Sequence, residues 1–159
     1  MNDTITDDIR QQADSAVLCW LATTGKDGAP NVSPKEAWLI NETGQVVIAE
    51  IASAQSLRNV RACPSVCVAF LDVFTQKGYQ LYGRARIVER DAPSFARVGR
   101  RLIDWAEPKF IVRNLFLVDV DRARPIVAPS YGISPAPSET DMTEESYRTY
   151  GVRPAPTVG

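Results

Sequence analysis

The sequence predicts a mainly β, α+β fold: six antiparallel strands curled into a small barrel with helices outside it. Three observations predict this. Runs of apolar and β-favouring residues are separated by turns such as "GKDG" (25–28), "NETG" (41–44) and "TQKG" (75–78). These links are far shorter than the dozen or more residues a parallel crossover needs. Helical patterns fall between some strands but not after every strand, which places helices outside an antiparallel sheet. Finally, 159 residues with 45% apolar content suit one domain with one real core.

Each element has a local reason. "DTITDDIRQQADSA" reads as a short amphipathic helix capped by Asp3 or Thr4, with acid in its first turn. "SAVLCWLATTG" (15–25) is the first strand, and Gly28 supplies the positive φ of the hairpin that follows. "APNVSPKEAWLI" is the second strand, ended by Gly44. "QVVIAEI" (45–51) is apolar almost throughout and so predicts an interior strand. "SAQSLRNVRACP" predicts a helix with Ser53 as its N-cap. Leu57, Val60 and Ala54 form its apolar stripe, and Pro64 stops it. "SVCVAFLDVF" (65–74) and "GYQLYGRARIVE" (78–89) are strands. Residues 92–105 predict a helix with Asp91 at the cap and Pro93 in its first turn. "KFIVRNLFLVDVDRARPIVA" is mostly strand. Residues 1–129 are therefore read as the barrel domain, and 130–159 as a Pro-, Ser- and acid-rich arm. The arm carries one short helix at 140–149, and tyrosines 131, 147 and 150 dock parts of it on the barrel.

Composition excludes several functions. The chain has no histidine, which removes Ser-His-Asp and Cys-His catalysis and histidine-ligated zinc or haem. Any chemistry is then brought in by a cofactor. A net charge of −1 predicts neither a nucleic-acid nor a membrane partner. The acidic start lacks the basic and apolar regions of a signal peptide, and no apolar run is long enough to span a bilayer, so a cytoplasmic protein is expected. Cys19, Cys63 and Cys67 read as reduced thiols; a metal site is not expected.

The chemistry gathers on one stretch. Pro34 removes a ladder donor and so belongs at a sheet edge or a bulge, where backbone groups can turn towards a ligand. Lys35 sits beside it. The helix at Ser53 follows an interior strand directly and offers free N–H groups with Ser53, Gln55 and Ser56 in its first turn. Together these make a slot for a flat anionic molecule. Serine capping and a snorkelling lysine are the plainer readings of the same residues.

Taken in order, "GKDGAPNVSPKEAWLI", "GQVVIAEIASAQSLRNVRACPSVCVAF" and "GYQLYGRARIVE" resemble the pyridoxamine 5'-phosphate oxidase-like FMN-binding split barrels, in particular the short bacterial members. The likeness spans about residues 15–127. It implies a six-stranded, Greek-key-like split barrel and a homodimer holding FMN at its interface. It also implies that Ser33, Pro34 and Lys35 run along the flavin ring and that Ile48 and Ala49 lie beneath it. Ser53, Gln55 and Ser56 would face the phosphate, and Asn59 would hold the helix. Residues near Lys77 and Trp105 would come from the partner.

The chain departs from the full-length oxidase of that family. Where the oxidase has phosphate-holding arginine and lysine, this chain has Ser33 and "AQS" (54–56), and it lacks the C-terminal Arg-x-His motif. The resemblance therefore implies a flavin-dependent oxidoreductase of unknown small-molecule substrate, other than pyridoxamine phosphate. A non-catalytic flavin or tetrapyrrole-binding module and a deazaflavin-dependent reductase on the same barrel are the alternatives. Residues 84–113 carry eight basic side chains against four acidic ones, and Arg84 and Arg86 share a strand face. That excess suits an anionic pocket or, less well, nucleic acid; a solvated face is the plain alternative. Trp20, Trp38 and Trp105 read as core or interface residues.

Overall fold

The computed structural model describes residues 4–107 and 109–155. Its order is α1 (Asp7–Ser15), β1 (Cys19–Thr24), β2 (Pro30–Lys35), β3 (Trp38–Ile40), β4 (Val46–Glu50), α2 (Ala54–Ala62), β5 (Ser65–Asp72), β6 (Lys77–Glu89), α3 (Phe95–Ala106), β7 (Asn114–Val127) and α4 (Glu139–Tyr150). A 3-10 turn at Pro129–Gly132 precedes α4.

One antiparallel sheet of seven strands runs β2-β1-β5-β6-β7-β4-β3. The sequence predicts six because "APNVSPKEAWLI" reads as one strand. It divides at Glu36 and Ala37 into β2, which pairs with β1, and β3, which pairs with β4. These two pieces are the opposite edges of the sheet. Three residue steps join Lys35 to Trp38, and they span at most about 11 Å. The edges must therefore lie side by side, and the sheet curls into a barrel that is open in its hydrogen bonding along this seam. Pro34 is tolerated because β2 is an edge strand.

Strand alternation sorts the core into two clusters. Ile48, Phe70, Leu81, Phe116 and Val118 fill the barrel, with Ile9 and Ala13 of α1 packed against them. Val47, Ala49, Leu115 and Leu117 point the other way and pack under Phe95, Leu102 and Ala106 of α3. All five residues of β4 are consequently buried, as the interior-strand reading expects. Gly83 lies at a register shift against β7, where a side chain would run into the Asp119 carbonyl.

Several boundaries differ from the sequence reading. Thr6, not Thr4, caps α1 by accepting from the Ile9 amide, and Asp3 lies outside the described residues. Helix α3 starts at Phe95 after Ser94, so Asp91 and Pro93 precede it. Residues 109–113 are not strand. The positive φ of the third hairpin belongs to Gln76, while Gly78 lies in β6 and is needed because Phe70 O approaches it closely. Ala54 is exposed; the buried stripe of α2 is Ser56, Asn59 and Val60.

The arm docks as its tyrosines suggest. Tyr131 donates to Thr75 O (2.8 Å), and the Tyr147 ring meets Phe74 edge-on at 5.0 Å. Ser146 donates to Phe74 O (2.9 Å). Helix α4 spans 139–150, with a capping box between Ser138 and Asp141.

Candidate functional site

A cleft of about 570 Å³ opens at the seam, within the range of small-molecule sites. Three segments build it. Strand β2 turns Asn31, Ser33 and Lys35 inward, and the link adds Glu36 and Ala37. The end of β4 and the first turn of α2 contribute Ala49, Ile51, Ser53, Gln55 and Ser56. Trp105 at the end of α3 and Phe110 beyond it complete the wall.

The polar side is cross-linked. Ser33 and Ser56 hydroxyls are 3.0 Å apart. Asn31 Nδ2 donates to Ser56 Oγ (3.3 Å) and Thr23 Oγ1 (3.2 Å). Asn59 Nδ2 donates to Thr23 Oγ1 (3.0 Å), and its Oδ1 accepts from Gln55 Nε2 (2.8 Å). These bonds fasten α2 across β1 and β2. Each buried hydroxyl and amide thereby has a partner, as burial requires.

Lys35 is the charged centre. Only 7% of it is exposed, and Nζ donates to Ser53 Oγ at 2.6 Å. Ser53 holds the N-cap position, but its hydroxyl serves the lysine instead of capping the helix. Among the described residues no carboxylate reaches ion-pair distance of Lys35. The nearby Glu50 carboxylate is occupied by the Ser53 amide (2.7 Å) and Asn114 Nδ2 (3.1 Å). Cys19, opposite Lys35 in the β1–β2 ladder, is no counter-ion either, because burial raises its thiol pKa far above the usual range. Burial correspondingly lowers the Lys35 pKa below 10.5, with the nearby Glu50 carboxylate pulling the other way. A buried ammonium without a paired anion is costly alone and attracts an anionic ligand.

Seven of the nine residues expected at the site line this cleft: Ser33, Pro34, Lys35, Ala49, Ser53, Gln55 and Ser56. Ile48 does not. It alternates with Ala49, so its side chain points into the barrel. Asn59 is buried behind the cleft as the strut already described. Sequence reasoning passed over Asn31, which the alternation Asn31–Ser33–Lys35 on one strand face would have found. Phe110 left no such signal. Trp105 lines the cleft of its own chain, and Lys77 pairs with Glu139 at 2.6 Å. Arg84 and Arg86 are exposed and outside the cleft.

Fold and site together define a split barrel with a polar, lysine-bearing cleft at its seam. The comparisons then place the chain: the family model described as pyridoxamine 5'-phosphate oxidase matches residues 5–126, and the chain belongs to that family. Similar solved structures include the following three. An FMN-binding protein from Syntrophomonas wolfei subsp. wolfei is 13% identical with a TM-score of 0.63, covering 76% of this chain and 88% of its own. HutZ, the heme storage protein from Vibrio cholerae, is 20% identical with a TM-score of 0.61, covering 77% and 94%. The conserved hypothetical protein Rv2991 from Mycobacterium tuberculosis is 22% identical with a TM-score of 0.62, covering 100% and 96%. At these identities the likeness is one of fold. No curated protein matches the chain.

Proposed function

We propose that this chain binds FMN in the seam cleft and acts as a flavin-dependent oxidoreductase on a small molecule, as a cytoplasmic homodimer. The observation that carries the reading is Lys35: a buried ammonium, bonded to Ser53 at the start of a helix, with no paired carboxylate. The donor set suits a phosphorylated planar ring. Hydroxyls and amides of Asn31, Ser33, Ser53, Gln55 and Ser56 stand beside the free N–H groups of α2, and Ala37, Ala49 and Ile51 supply an apolar wall. Among the described residues no arginine lines the cleft, so the phosphate grip would rest on these neutral donors and one lysine.

Bound FMN would supply hydride transfer at its N5. The residues of the chain bind, orient and exclude water. Lys35 would place a buried positive charge in the cleft, which favours the negative charge a flavin gains on reduction. Asn59 and Thr23 keep α2 in register with β2.

The homodimer reading rests on the outer face of β2, β1 and β5. Helices α1 and α2 pack against the opposite side, which holds Leu21, Val68 and Phe70. Trp20 (41% exposed) and Val32 (57%) lie on the outer face, backed by half-buried Ala22, Cys67 and Ala69. A self-complementary apolar patch on β2 would place a second copy beside each cleft.

Titration of FMN with purified protein tests the cofactor. Quenched flavin fluorescence at micromolar protein is expected, and unchanged fluorescence would sink the reading. Offering a deazaflavin in parallel separates the deazaflavin reductase. The second reading, a non-catalytic flavin module, is favoured by the absence of arginine from the cleft; failure of bound flavin to be reduced by NADH or NADPH would support it. A haem-holding role, prompted by HutZ, finds less support. The chain has no histidine, and among the described residues no Cys, Met or Tyr lines the cleft to serve as an axial ligand.

A further inference from the structure

We propose that the tip formed by the end of α3 and the segment after it docks on an anionic lipid surface. Trp105, Phe110 and Ile111 are 55%, 49% and 69% exposed, while Val112 beside them is fully buried. Large apolar side chains turned to water within one short stretch mark an interaction site. Their exposure is held by the backbone. The Lys109 and Phe110 amides both donate to Ala106 O (2.9 and 2.8 Å), and the Arg113 amide donates to Glu50 O (2.8 Å). Arg90 Nη1 donates to Val112 O. The chain is thus pinned on both sides of Ile111, which is presented to solvent and does not fray into it.

Charge selects the occupant. Arg97, Arg101 and Trp105 follow one another four residues apart along one exposed ridge of α3. Lys109 and Arg113 flank Phe110 and Ile111. These four cations are exposed, and among the described residues none forms an ion pair. The nearby acids are already engaged: Asp104 by Arg100 (2.9 Å) and Glu107 by Arg90 (2.9 Å). Glu36, across the cleft rim, is one carboxylate against four cations. The net charge of −1 averages this basic tip with acidic faces elsewhere, such as Asp7 and Asp14 of α1 and Glu144 of α4. Apolar and aromatic side chains ringed by Arg and Lys suit an anionic bilayer surface. The apolar groups enter the headgroup boundary and the cations stay with the phosphates. A second copy is a poorer occupant, because a two-fold contact through the tip sets the same four cations against their equals. Trp105 and Phe110 also line the cleft, so docking turns its mouth towards the lipid.

The test sediments the purified full chain with vesicles of phosphatidylcholine alone and of phosphatidylcholine mixed with phosphatidylglycerol, and follows tryptophan emission. Anionic vesicles should bind at least about tenfold more tightly than neutral ones, and the binding should weaken as salt is raised. Emission should shift to the blue as Trp105 leaves water. Arg101→Gln combined with Lys109→Gln should weaken binding by at least about tenfold, since each cation near such a surface contributes about fivefold. Ile111→Asp should weaken it by about the same factor. None of these three residues lines the cleft, so FMN quenching by the variants should match that of the native chain. Equal affinity for the two vesicle types, or no binding to either, overturns the proposal. So does an Ile111→Asp variant that binds vesicles normally, or one that passes from dimer to monomer, which would assign the tip to a contact between copies. If Ile111→Asp does not melt cooperatively, the paired Gln variant decides, and unchanged vesicle binding by it overturns the proposal. The proposal does not rest on the FMN reading: loss of flavin quenching and loss of vesicle binding are separate results.

Discussion

The two halves of the sheet face different surroundings. Around β4 and β7 it is covered on both sides, by the barrel core and by α3, and residues 115–118 are all buried. Around β2, β1 and β5 only the inner side is covered, and Val32 and Trp20 stand in water. The first half is built for stability. The second combines an edge strand, a polar inner row and a bare outer face, which is where a cofactor and a second chain would find unoccupied surface. The comparison separates residues whose loss should unfold the protein from residues whose loss should leave it folded and empty.

The largest expected effect lies in the covered half. Phe116→Ala removes a fully buried ring and should cost about 3–5 kcal/mol, seen as a sharp fall in Tm or in urea midpoint. Trp20→Ala, on the bare face, should change chain stability by less than about 1 kcal/mol. It should instead shift sedimentation from dimer towards monomer. If Trp20→Ala unfolded the protein as severely as Phe116→Ala, the distinction between the halves would fail.

Next in size is Lys35→Met. Loss of a charge-assisted contact should weaken FMN binding by about 1.5–3 kcal/mol, roughly ten- to a hundredfold. Stability should stay level or rise, since a buried ammonium is removed. The pH dependence sharpens this. Burial lowers the Lys35 pKa below 10.5. Between that lowered value and 10.5 the unfolded chain binds more protons at this site than the folded one, so the Lys35 contribution makes stability rise with pH there. FMN affinity should fall over the same window, as the ammonium is lost. Lys35→Met should abolish both trends, and paired melts and titrations across alkaline pH would read them.

Smaller still is Asn59→Ala. It cuts the tie from α2 to Thr23 and should cost about 1–3 kcal/mol, because Thr23 and the helix lose a buried partner. Its effect on FMN should be indirect and weaker than that of Lys35→Met. The smallest is Arg100→Ala: the exposed i,i+4 pair with Asp104 is worth less than about 0.5 kcal/mol, so the melt should hardly move.

The same contrast explains what the sequence made legible. In the covered half, "QVVIAEI" is apolar on both faces and needs no partner knowledge to be placed inside. Hairpins marked by Gly28 and Gly44 were equally plain, because only a few residues accept their φ of about 81° and 82°. The division of "APNVSPKEAWLI" was not legible. No residue at Glu36 or Ala37 signals a break, and only tertiary pairing with β1 on one side and β4 on the other creates it. At the site, Lys35 and the Ser53–Ser56 turn could be proposed from one strand and one helix start. Phe110 could not, because its place depends on the fold bringing residues 105–110 back to the seam. Ile48, which the family resemblance placed beside Ala49 under the ring, turns into the barrel because adjacent strand residues face opposite ways.

The central claim is that the seam cleft, charged by Lys35, holds FMN. Titrating a fixed low concentration of FMN with the protein at neutral pH, and repeating it with Lys35→Met, tests this most directly. The account predicts saturable quenching with the native chain at micromolar protein, and a curve displaced by at least about tenfold with the variant. Flavin fluorescence unaffected by the native chain, or identical curves for the two proteins, would contradict it.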